Sequence, residues 1–87
     1  VPFNFLGTTE SGWFFFIISD KTGFMVQMVQ PNGQKILKRH FNIDQSSILY
    51  HSFTLSQNGI ISALLAEKDK ARVVWWRTDQ LIESLLN

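Results

Sequence analysis

The sequence predicts an all-β protein made mainly of antiparallel meanders. Two observations carry this prediction: strand-sized apolar runs recur along the chain, and polar turns separate them, two of which contain Asn-Gly. Phe3 to Leu6 is a short apolar stretch, followed by the polar turn from Gly7 to Gly12. Trp13 to Ile18 is apolar at every position, so the period-two alternation is lost and both faces of this strand are expected to be covered. After the turn Asp20-Lys21-Thr22-Gly23, the β pattern resumes at Phe24 to Val29 and stops at Pro31-Asn32-Gly33-Gln34. Asn-Gly between two such runs predicts a type I′ hairpin, with positive φ at both central residues. The return strand, Lys35 to Phe41, carries Lys35, Lys38, Arg39 and His40, as suits an exposed edge guarded against further pairing.

A polar connection from Asn42 to Ser47 leads to a fifth segment, Ile48 to Leu55, then to a second Asn-Gly turn at Ser56 to Gly59. Ile60 to Ala66, the charged turn Glu67 to Lys70, and Ala71 to Arg77 complete a second meander of three strands. The tail has two readings. Thr78 can cap a helix whose apolar positions Leu81, Ile82, Leu85 and Leu86 share one face, or Leu81-Ile82 can form a fourth, outer strand.

Composition bounds what such a chain can do. Its 87 residues make a single unit, and a domain of this length buries only about 60 to 65% of the surface of its unfolded chain, so modest stability is expected. With 45% hydrophobic and 17% charged residues it has material for a core and too little charge for a disordered tail. The longest apolar run is strand-sized, which leaves no candidate membrane span and predicts no membrane insertion. Lacking cysteine, the chain has no disulfides, no thiolate chemistry and no cysteine-ligated zinc. A net charge of +1 gives no reason to expect a nucleic-acid partner. It opens at Val1, without methionine or a signal-peptide pattern, which suggests a piece of a longer protein.

A shift of about 47 residues aligns the two halves, residues 1–47 and 48–87. It brings Ser11-Gly12 onto Asn58-Gly59, Trp13 to Ile18 onto Ile60 to Leu65, and Met25 to Gln30 onto Arg72 to Arg77. After a two-residue gap, Gln34 to Leu37 falls near Gln80 to Ile82. A period of 40 to 50 residues built from short strands resembles two consecutive four-stranded blades of the WD or kelch-like β-propeller class. Phe53 to Gly59 resembles the innermost strand and turn of a WD-type blade; the Gly-His pair of that class is missing, and Trp75-Trp76-Arg77-Thr78 departs from its Trp-Asp ending. Since propellers need about four to eight blades, the resemblance implies self-association or contact with further blades.

No pattern points to catalysis. His40 and His51 are the only histidines, and neither has a histidine or carboxylate at ligand spacing. No serine sits in a nucleophile elbow, and nearly all carboxylates fall in turns. Trp75 and Trp76 are adjacent on a strand and must point to opposite faces, so one is available for stacking on a sugar, a base or a partner side chain. With Lys38 and Arg39 they form the candidate binding set; no cofactor is implied. The expected function is a non-catalytic structural or protein-interaction module, and the alternative is a carbohydrate- or single-stranded nucleic-acid-binding domain.

Overall fold

The computed structural model describes residues 3–86, which fold into two antiparallel sheets and one helix. Sheet 1 is a meander of β1 (Phe3–Thr8), β2 (Phe14–Asp20), β3 (Gly23–Val29) and β4 (Ile36–Asn42), hydrogen-bonded in that order. A single 3-10 turn at Gln45–Ser47 leads to sheet 2, formed by β5 (Tyr50–Leu55), β6 (Ile60–Ala66) and β7 (Ala71–Arg77). The chain then enters α1 (Thr78–Leu86).

The two sheets pack face to face. Alternation puts Phe15 and Ile17 of β2 on the same side as Phe24, Val26 and Met28 of β3, and this side meets Ile61 and Leu65 of β6. These seven are the largest fully buried side chains among the described residues. At about 1.5 to 3 kcal/mol for each apolar side chain taken from water, they supply the main favourable term of the fold. Phe24 packs against Phe53, with ring centroids 4.7 Å apart, and Phe41 packs against Trp76 at 4.6 Å. β1 lies beside β5 at one margin of the stack, while α1 touches β4 and β7 at the other.

Three expectations are corrected. Sheet 2 has three strands, and the outer-strand alternative at Leu81-Ile82 gives way to α1: Leu81 is buried, and Ile82 and Leu85 pack on the core. Thr78 does not cap this helix. Its hydroxyl donates to the Gly59 carbonyl oxygen at 2.7 Å, which its own backbone N–H also reaches at 2.8 Å, so it ties the helix start to the β5–β6 turn. The β3–β4 turn is not type I′, since only glycines have positive φ among the described residues. The Gly33 N–H donates to the Gln30 carbonyl at 2.8 Å, leaving Pro31 and Asn32 at the centre. Proline fixes φ near −65° and so favours an ordinary type I turn there, with Gly33 at φ 73° taking the left-handed position that follows.

The registers of the two sheets correspond. Displacing each partner of the β2–β3 ladder by 47 positions turns Phe14↔Val29 into Ile61↔Trp76 and Ile18↔Met25 into Leu65↔Arg72, both of which are pairs of the β6–β7 ladder. The same displacement carries the Thr9–Trp13 turn onto Ser56–Ile60: the N–H of Thr9 bonds the Trp13 carbonyl as that of Ser56 bonds the Ile60 carbonyl, and the N–H of Gly12 bonds the Thr9 carbonyl as that of Gly59 bonds the Ser56 carbonyl. Correspondence ends at residues 31 and 78, where Pro31 opens a turn and Thr78 opens a helix.

Gly23 is the position where the backbone leaves no room for a side chain. At φ 146°, a Cβ there would lie 2.0 Å from the carbonyl oxygen of Phe41. A Cβ added at Gly33 would meet nothing within 4 Å. Gly33→Ala therefore carries only the left-handed backbone penalty, about 1 kcal/mol, whereas Gly23→Ala must displace β4 and is expected to lose on the order of 3 kcal/mol. Urea midpoints of the two variants check this ordering; equal losses would contradict the close approach of β3 to β4.

Candidate functional site

The candidate binding residues divide between two faces. Trp75 is on the outer face of sheet 2 and is 61% exposed, while Trp76 turns inward and is half-buried against Phe41. Arg39 belongs to the inner face of sheet 1, where the register sets it opposite Val26, and its guanidinium sits 5.6 Å from the centroid of Phe41. Lys38, its neighbour, points to the other side and joins none of these groups. Arg39, Trp75 and Trp76 meet at a cleft of about 370 Å³ between β4, β7 and α1, where Phe41, Arg77 and Gln80 join them. Arg77 is held by an exposed ion pair to Asp79 at 3.2 Å. One guanidinium over an aromatic ring, with a second at the cleft held by Asp79, makes a surface able to stack a flat ring and contact an anion. Sequence reasoning missed Phe41 and Arg77, because the cleft depends on how the two sheets are stacked.

A second polar group surrounds the β2–β3 turn. His40 Nε2 is 3.1 Å from Asp20 Oδ2 and 3.1 Å from the Thr22 hydroxyl, and Thr22 donates its backbone N–H and its hydroxyl to Asp20 Oδ1 at 2.9 and 3.0 Å. One imidazole nitrogen meets both partners, whereas a proton relay between hydroxyl and carboxylate uses the two different nitrogens. The trio is thus built as a turn lock. His51 lies elsewhere, its ring 5.0 Å from that of Phe24. Among the described residues no three histidines or carboxylates gather where they would hold a metal ion.

Compared with models of known families, with curated proteins and with solved structures, the chain matches none.

The most extensive unpartnered feature is apolar. Phe3, Phe5 and Phe14, on the outer face of sheet 1, are 59, 57 and 39% exposed and cluster around Phe16, with Phe5 and Phe16 centroids 5.3 Å apart. The expectation that the Trp13–Ile18 run is covered on both faces holds in part: Phe15 and Ile17 enter the core and Ile18, on the outward parity, is also buried, whereas Phe14 stays 39% exposed. On the far side of the stack, Tyr50, Leu64, Val73 and Trp75 are exposed on the outer face of sheet 2. Unbroken apolar runs in β2 and in Val73 to Trp76 of β7 were the available signal, but they do not say which layers exist to cover them. No helix among the described residues is long and apolar enough to cross a membrane.

Two carboxylates respond to their turns. The backbone N–H and hydroxyl of Thr22, with His40 beside them, hold the carboxyl of Asp20 below its usual value. The Ser46 hydroxyl and backbone N–H do the same for Asp44. A carboxyl depressed in the folded state stabilises the fold above its ordinary value of 3.8, and that contribution is lost as pH falls through the folded values. Melting temperature should decline as pH drops from about 4 to about 2, and the double variant Asp20→Asn, Asp44→Asn should show a flatter profile. Parallel profiles for the two proteins would refute the assignment.

Proposed function

We propose that this chain is a non-catalytic structural and protein-interaction module, a two-sheet portion of a larger β-propeller-like assembly. The observation that carries this reading is the pair of apolar outer faces on a stack whose two sheets share one register. Large contiguous apolar patches on a folded surface mark contact with another macromolecule. A chain built of two corresponding sheets with both ends of the stack open fits a position within a longer series of sheets. In this role the β1–β5 margin and the polar turns remain free to meet protein partners, and fold alone does not specify which.

The reading is tested on the isolated 87 residues. Under conditions where near-UV circular dichroism reports fixed packing, the chain should either associate or bind the apolar dye 1-anilinonaphthalene-8-sulfonate. Replacing Phe5 and Trp75 by lysine should remove most of whichever response is seen. A dispersed native chain that does neither has no surface in need of a cover, and the proposal would then be wrong.

The cleft at Arg39, Trp75, Trp76 and Arg77 supports a second reading, recognition of carbohydrate or of a single strand of nucleic acid. Stacking on Trp75 would provide sequence-tolerant affinity, and the two arginines would meet phosphates or sugar hydroxyls. Titrating tryptophan fluorescence with an oligothymidylate and with a panel of glycans decides it. The expected result is a saturable shift weakened about ten-fold or more by Trp75→Ala, as loss of one stacked base implies; an unchanged spectrum would remove this reading.

A further inference from the structure

The two sheets do not meet through corresponding faces. The face that sheet 1 turns inward carries Phe15, Ile17, Phe24, Val26 and Met28, whose counterparts 47 positions on are Ser62, Leu64, Ala71, Val73 and Trp75, the outward face of sheet 2. The face that sheet 2 turns inward carries Ile61, Ala63, Leu65, Val74 and Trp76, and their counterparts are Phe14, Phe16, Ile18, Gln27 and Val29, the outward face of sheet 1. A two-fold sandwich would oppose like faces. This stack instead runs head to tail, and each open face is the counterpart of one already engaged inside the chain.

We infer that a second copy of this chain covers each open face, the outer face of sheet 2 in one copy docking on the outer face of sheet 1 in the next. The inference rests on the reading of the chain as part of a larger stack, and it specifies who supplies the next sheet. Continuity with the internal interface is the first argument: the contact between copies pairs the same two kinds of face in the same head-to-tail sense as the contact inside each copy, with different side chains at the matching positions, Ser62 standing where Phe15 stands inside and Phe16 where Ala63 stands. In both contacts a face rich in phenylalanine meets one with a small residue near the middle of β6, Ala63 inside the chain and Ser62 outside it.

The second argument is area. With aromatic side chains presenting about 150 to 250 Å² each, the exposed parts of Phe3, Phe5 and Phe14 leave on the order of 300 Å² on sheet 1. Tyr50, Leu64, Val73 and Trp75 leave a comparable or larger area on sheet 2. Together with the flanking strand atoms, this approaches the roughly 1,000 Å² at which a specific interface becomes credible. Lys38 and His40, on the β4 edge of the sheet 1 face, sit at the rim of the contact, where charged groups remain hydrated.

Such an interface is heterologous, using different surfaces on the two partners, so it propagates until it closes into a ring or grows as a filament. With two sheets per chain and rings of about four to eight sheets, closure takes about two to four copies.

Light scattering on a sizing column, over a dilution series, is expected to give whole-number multiples of the 10.1 kDa chain. Phe5→Glu and Trp75→Glu each spoil one face at an exposed position, and each variant alone should stop at the single chain, since every contact needs both faces. Mixed together they should form a one-to-one pair, because one retains an intact sheet 2 face and the other an intact sheet 1 face. Circular dichroism checks that each remains folded, with Phe3→Glu and Val73→Glu as replacements if it does not. Association abolished by changes on only one of the faces, or a mixture that fails to pair, would overturn the head-to-tail contact. A monomeric wild-type chain that binds the apolar dye would overturn the second copy as occupant while leaving the larger stack in place; a monomer that binds none would overturn both.

Discussion

The stacking of sheet 1 on sheet 2 is the contact on which everything else in this protein depends. A meander of three or four short strands cannot bury both faces by itself, and a sheet with one face against another becomes stable by removing that face from water. Here Phe15, Ile17, Phe24, Val26 and Met28 supply one wall, Ile61 and Leu65 the other, and Phe53, Val74 and Trp76 fill between them. Five of the seven largest fully buried side chains come from sheet 1, so sheet 2 relies on its partner more than the reverse. The helix fits the same logic. Leu81 closes the margin where β4 and β7 meet, and Thr78 fixes the direction in which the helix leaves β7 by binding back to Gly59.

That contact also determines what is left open. Because side chains alternate across a strand, burying Phe15 and Ile17 obliges Phe14 and Phe16 to face away, and burying Trp76 obliges Trp75 to do so. The exposed apolar surface follows from strand geometry once both parities of β2 and β7 are apolar. In a self-contained sandwich the outward parity is ordinarily polar. The basic residues on the outward parity of sheet 1, Lys38 and His40, lie on the edge strand β4, where they serve the rim more than the face, and the interior strands add only Gln27 and, at the end of β2, Asp20.

Strand order and turn positions were legible in the sequence because they rest on local chemistry. Glycine ends the turns at Gly12, Gly33 and Gly59, and these three, with the charged turns after β2 and β6 and the polar connection after β4, separate the seven strands. The fate of the tail was not legible, since Pro31 and Thr78 occupy corresponding positions and the choice between turn and helix depends on what each meets. Pro31 has no N–H to give, while the N–H and hydroxyl of Thr78 both reach the Gly59 carbonyl. Nor could the covering of each β2 face be read from β2 itself, because an unbroken apolar run is the same string whether one layer or two lie against it. The cleft was half legible: adjacent tryptophans announced opposite faces, but Phe41 and Arg77 enter only through the packing of one sheet on the other.

Trp75 is where the two functional readings compete. It belongs at once to the outer face of sheet 2 and to the cleft with Arg39 and Arg77. If the outer face is covered by another sheet, the indole is taken from solvent and the cleft loses its stacking platform, leaving two arginines and the edge of Phe41. If a ring-bearing ligand occupies the cleft, the indole is engaged at the margin of a face that must then stay open. One exposed side chain cannot serve both contacts at once, so assembly and ligand binding through this face exclude each other. The extent of apolar surface favours assembly: the cleft accounts for Trp75 alone among the large exposed residues of the two outer faces, whereas a covering sheet accounts for Phe3, Phe5, Phe14, Val73 and Trp75 together.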